Sequence, residues 1–85
     1  MKKVIVPPPG AEPISFAVAV IIKEMRLAKG MTPQALAKAS GRTRQCINQI
    51  EAHQSAPRLN TTACIVRAFG RRTSEVIEEG EDRLK

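Results

Sequence analysis

Apolar residues recur along most of this chain at spacings of three and four, the period of a helix face, and no run alternates as a half-buried strand would. From Ile14 to Lys29 the apolar positions Val18, Ile21, Ile22 and Met25, with Leu27 at the edge of the pattern, share one face; Gly30 then stops that helix. Thr32-Pro33 marks the next start, because the threonine hydroxyl can accept a free backbone N–H and a proline at the first helical position gives up no bond. This second helix runs to about Ala39 and ends at Gly41, and Thr43 caps a third that reaches about Ala52. After a loop at His53 to Pro57, Asn60 to Phe69 predicts a fourth helix that buries Thr62, Ile65, Val66 and Phe69. Arg71, Arg72 and Thr73 separate it from a last helix with Val76 and Ile77 as its apolar positions. Gly80 weakens the continuation of that helix, so the end EEGEDRLK is expected to fray. The pattern predicts an all-α domain of five short helices over residues 14–80, a frayed charged tail at 81–85 and an N-terminal arm at 1–13. Three consecutive prolines and a glycine keep the arm out of any helix. Lys2 to Val6 could pair as a short strand, a conformation that Val4, Ile5 and Val6 favour, so the arm is expected either to be flexible or to cross in order to a partner subunit.

Composition sharpens this picture. With 85 residues there is one modest core and no room for an enzyme cleft beside it. The formal net charge of +6 is unevenly spread: residues 1–13 carry two Lys and one Glu, residues 14–60 seven cations and two acids, and residues 61–85 five of each. The positive field therefore lies on the central helices, as suits a polyanionic partner. Cys46 and Cys64, with His53 the single histidine, match no zinc spacing, so the expectation is no metal, no cofactor and thiols packed near the core in a reducing cytoplasm. Pro7 to Pro9, Gly10, Glu12 and Pro13 interrupt the first apolar run and Lys23-Glu24 closes the second, which fits neither a signal peptide nor a membrane span.

The segment TPQALAKASGRTRQCINQIE, residues 32–51, carries the chemistry. Two short amphipathic helices crossing steeply over a three-residue turn need a small contact residue and a turn residue free to take positive φ, and Ala37 and Gly41 supply them. Leu36, Ile47 and Ile50 then point inward and lock the angle. Together with IKEMRLAKGMT before it, PRL after the loop and IVRAFG in the fourth helix, the segment resembles the helix-turn-helix of the Cro/cI-type, phage-repressor-like DNA-binding family, from about Val18 to Ile77.

The resemblance implies that exposed positions of the third helix read bases, here Thr43, Arg44, Gln45, Asn48 and Gln49. The chemistry agrees: Arg44 can fork onto guanine O6 and N7, and Gln45 or Gln49 onto adenine N6 and N7. Cys46 packs toward the second helix in the family and is not counted as a reader. The family's phosphate contacts fall on Thr32, the backbone N–H of Gln34, Arg42 and Arg58. Two positions depart from the family. Pro33 replaces a glutamine that would touch phosphate, and Arg42 replaces an apolar plug, which implies a cation facing phosphate or simply water. The matching Arg26 and Glu51 form a partly buried ion pair in the family. His53 lies in a polar loop with no evident partner and no metal or catalytic role.

The sequence thus predicts a non-enzymatic, cytoplasmic regulator that binds double-stranded DNA by sequence as a homodimer on a two-fold operator, of repressor or controller type. Its expected dimer contacts are Val76, Ile77 and their neighbours, with Val4 to Val6 second. The rival is a protein-interaction module, such as an antitoxin gripping a toxin or a subunit of a complex, that keeps the fold.

Overall fold

The computed structural model describes residues 3–84, and its regular elements are five helices: α1 (Pro13–Ala28), α2 (Pro33–Ser40), α3 (Arg44–Glu51), α4 (Leu59–Ala68) and α5 (Thr73–Arg83). Local chemistry sets the starts. Thr32 Oγ1 accepts the Ala35 N–H at 3.1 Å, and Thr43 Oγ1 accepts the Cys46 N–H at 3.1 Å. Glu12, assigned from the sequence to the arm, caps α1: its carboxylate takes the N–H groups of Ser15 and Ile14 at 2.9 and 3.1 Å. Those bonds, the one from the Ser15 amide foremost, hold the Glu12 carboxyl below its ordinary pKa.

The core is assembled from one stripe of each helix: Val18, Ile21 and Ile22 of α1, Leu36 and Ala37 of α2, Ile47 and Ile50 of α3, Ile65, Val66 and Phe69 of α4, and Val76 of α5. α1 lies against α3 and α5, while α2 lies against α3 and α4. Val76 is fully buried in this core, which removes it from the expected dimer contacts; Ile77, half-buried, stays at the surface. No described helix is long and apolar enough to cross a membrane.

The two ends of the chain depart most from expectation. α5 does not fray at Gly80 but continues to Arg83. Gly80 is buried against α1, where a Cβ would sit 3.1 Å from Ile14 Cδ1 and 3.4 Å from Ala17 Cβ. The glycine lets two backbones approach, and the packing so gained outweighs its helix penalty of about 1 kcal/mol. Arg83 is itself buried: its guanidinium forks onto the Glu24 carboxylate of α1 at 2.6 and 2.9 Å, and its Nε donates to the Lys3 carbonyl at 2.8 Å. The bonds to Glu24 raise the pKa of this guanidinium further, against the opposing effect of burial. The arm is seated on its own chain by the same residue, since the Ile5 N–H donates to the Arg83 carbonyl at 2.6 Å and the Ile5 side chain is buried. Among the described residues none of the arm is in a strand; of the expected Lys2 to Val6 strand, Lys2 lies outside the described residues, as does Lys85 of the tail.

Candidate nucleic-acid interface

The turn between α2 and α3 is built from its backbone outward. Gly41 takes φ 71°, and the Arg42 N–H reaches back to the Ala37 carbonyl at 2.9 Å, closing α2 with its last carbonyls satisfied. Ala37 is buried where α2 packs against its neighbours, α3 among them. Ile47 and Ile50 of α3 are then pulled into the core, with Cys46 half-buried beside them. Helical geometry turns the remaining positions outward: Thr43, Arg44, Gln45 and Asn48 are exposed and Gln49 is half-buried. The Thr43 hydroxyl oxygen already accepts one bond as the cap of α3, so it has its proton and one lone pair left to offer a ligand.

The only acid of α3 is withdrawn from that outward face. Arg26 Nε donates to Glu51 Oε2 at 2.7 Å and Arg26 Nη2 to Glu51 Oε1 at 2.9 Å, a bidentate pair with side-chain exposures of 10% and 9%. Arg26 Nη1 also donates to the Met31 carbonyl at 2.7 Å, so one guanidinium ties together the end of α1, the loop before α2 and the end of α3. The hydrogen bonds to Glu51 raise the Arg26 pKa above its ordinary value against the effect of burial.

Thr32 and Gln34 are exposed at the head of α2, with Gln34 the first residue of that helix to carry an N–H. Arg58 is exposed just before α4 and is not occupied in capping it. Arg42 departs from the expected phosphate position. Its guanidinium turns toward α4, where Nη2 donates to Cys64 Sγ at 3.2 Å, and its Nε is buried with no partner among the described residues. Arg42 is half-buried, and an arginine that lays its stem along the protein surface carries its head group with it, here toward α4.

His53 also has a partner that the sequence does not reveal. Its ring stacks on Phe16 of α1, centroids 4.2 Å apart and planes at 23°. It sits at φ 60° immediately after α3, where its N–H and that of Gln54 bond back to the Ile50 and Gln49 carbonyls. A non-glycine residue is strained there, and the stack supplies the compensating contact.

Comparison with curated proteins and with solved structures gives no match. Comparison with protein families matches the Helix-turn-helix family over residues 22–76, a span from the middle of α1 into α5 that holds the entire α2–turn–α3 unit. On that match, and on five helices with α2 packed against α3, the chain belongs to the Cro/cI-type helix-turn-helix family of DNA-binding regulators, whose partner is double-stranded DNA.

Proposed function

We propose that this chain is a small transcriptional regulator that reads duplex DNA by sequence, as a homodimer on a two-fold operator, with α3 laid in the major groove. The observation that carries the reading is the make-up of the outward face of α3. Arg44, Gln45, Asn48 and Gln49 present guanidinium and amide groups there, and the one acid of the helix is turned inward to Arg26. A face of that kind matches base edges and meets no self-made repulsion from phosphate. Arg44 addresses a guanine and Gln45 or Gln49 an adenine, while Thr43 contributes a hydroxyl proton. Thr32, the Gln34 N–H and Arg58 hold the flanking phosphates. Arg42 is left out of that set because its guanidinium is directed at Cys64.

One module of this size buries too little DNA surface for tight specific binding, which is the argument for two. The surface we assign to the pairing centres on Leu59, 70% exposed at the head of α4, with Ile14, Pro57 and Ile77 around it. Leu59 directly follows Arg58, so pairing there keeps two phosphate-facing loops side by side. Regulation is by occupancy of the operator.

Selection from random-sequence duplexes, followed by sedimentation of the protein free and bound, tests this reading. The expected result is one two-fold site with half-site centres about 10 bp apart and two chains per duplex. Failure to enrich any site overturns base reading and favours a protein-docking module, such as an antitoxin; a single chain per duplex overturns the homodimer.

A further inference from the structure

Each connection between consecutive helices turns, just past a helix end, on a residue at positive φ: Gly30, Gly41 and Gly70 at 67°, 71° and 72°, and His53, after α3, at 60°. An L side chain is disfavoured in that conformation, so glycine is the unstrained solution and His53 is the exception. It is the only non-glycine residue at positive φ among the described residues. Strain of this kind persists where the surroundings hold it, and what holds the His53 side chain is the ring of Phe16, 4.2 Å away in α1.

The loop that begins at this stack leads straight to Arg58. Its last backbone bond to α3 runs from the Gln54 N–H to the Gln49 carbonyl at 2.9 Å, and the next is accepted by the Arg58 carbonyl from the Thr62 N–H at 2.8 Å. Between them, among the described residues, no hydrogen bond ties Ser55, Ala56 or Pro57 to the rest of the chain. The loop arches over the head of α1 instead, where His53, Ser55, Ala56 and Pro57 face Ser15 and Phe16 across a cleft of about 110 Å³. Pro57 is half-buried at one foot of the arch and the stacked His53 ring stands at the other; Ser55 and Ala56 between them are exposed.

We infer that the Phe16–His53 stack sets the position of this loop, and that both are positioning residues for the contact between Arg58 and DNA phosphate. The inference rests on the DNA-binding reading above. Neither ring has to touch the duplex. A loop already in place is not ordered again on binding, whereas a wandering loop must be fixed first, at the expense of affinity. Glycine at position 53 would be less strained, and the histidine exchanges that ease for a ring that α1 can hold. If loss of the stack leaves the loop in place about one-fifth of the time, affinity falls about fivefold per half-site. The loss has an upper bound, because a displaced Arg58 is at worst an absent one: it cannot exceed the loss from Arg58→Ala.

The test uses His53→Gly, Phe16→Leu and Arg58→Ala singly, and each of the first two combined with the third. Circular dichroism should show all of them folded. Without DNA, amide relaxation in NMR should show Ser55 and Ala56 more mobile in His53→Gly and in Phe16→Leu than in the parent. On a selected operator both variants should bind about fivefold more weakly per half-site, equally on matched and substituted sequences. Phe16→Leu leaves residue 53 unchanged, so the added freedom of a glycine does not account for a loss seen in both. In the Arg58→Ala background neither substitution should cost anything further, a coupling that a general loss of stability does not produce. Phe16→Leu binding like the parent, or losses that persist undiminished in the Arg58→Ala background, would overturn the inference. A parent that selects no duplex, while Ser55 and Ala56 still loosen in the variants, overturns the DNA-binding reading and the phosphate contact with it, but not the hold of the stack on the loop.

Discussion

Replacing Glu51 by alanine asks how much the withdrawn acid of α3 matters. The substitution leaves the Arg26 guanidinium buried, with the Met31 carbonyl as its remaining acceptor among the described residues and two of its donors stranded. An uncompensated buried charge of this kind costs about 3 to 5 kcal/mol, against the total of about 5 to 15 kcal/mol that holds a small domain together. At about 4 °C or more per kcal/mol for a domain of this size, the melting temperature should fall by about 12 °C at least. Removing both charges is the informative control. Arg26→Met/Glu51→Leu leaves no buried ion, so most of the stability should return, short of about 1 kcal/mol for the Met31 carbonyl that loses its donor. Urea unfolding of the parent, Arg26→Met, Glu51→Leu and the double variant gives the coupling as a double-mutant cycle. The order of preference among operator variants should be the same for parent and Glu51→Ala at a temperature where both are folded, since the pair sets the position of α3 and touches no base. Glu51→Ala within about 1 kcal/mol of the parent would show that the pair is not buried in solution and that α1 does not anchor α3 as described.

Three further expectations come from other parts of the molecule. Gly80→Val places branched carbons where even a Cβ meets Ile14 at 3.1 Å and should destabilise by about 1 to 3 kcal/mol in urea unfolding; a neutral result would mean α1 and α5 stand further apart. Arg44→Ala should weaken a matched operator by about 1 to 3 kcal/mol per half-site and flatten discrimination at one base pair, whereas Arg58→Ala should weaken every sequence alike and lower the salt slope by about one unit per half-site. Affinities on matched and substituted operators across a salt series decide between the two roles, and equal losses on both operators for Arg44→Ala would strike it from the readers. Glu12, whose carboxyl is held below its ordinary range, stabilises α1 above its unfolded pKa, and that contribution is lost as pH falls through the lower folded value. Stability curves from pH 7 to pH 2 should accordingly differ in their acid limb between parent and Glu12→Ala, and coincident limbs would contradict the cap.

The helices were legible because their signals are local. Thr32-Pro33, Thr43 and Gly41 act within four residues of themselves, and the stripes Val18, Ile21, Ile22 and Leu36, Ile47, Ile50 repeat at one period. The outward face of α3 was legible for the same reason, as the complement of Ile47 and Ile50. Arg83 was not, because an arginine among acids reads as a solvated charge until α1 is brought beside it, and Glu24 lies 59 positions away. Gly80 failed likewise: one letter marks both a weakened helix and a close approach, and only the neighbour's Ile14 and Ala17 tell them apart. Arg42 and His53 are cases in which a tertiary pocket, against Cys64 and against Phe16, claims a side chain that local polarity assigns to water.

The clasp at Arg83 also has a meaning in time. The hydrogen bond from Arg83 to Lys3 joins residues 80 positions apart, and Ile5 is held through the same residue. Its closure spans a loop of 80 residues and carries the corresponding entropy cost, whereas the α2–turn–α3 contact closes over a handful of residues. During synthesis the order is enforced outright, because the arm leaves the ribosome 80 residues ahead of its anchor. The α2–turn–α3 unit can therefore be assembled while the arm is still loose, and the seating of Ile5 has to follow the completion of α5.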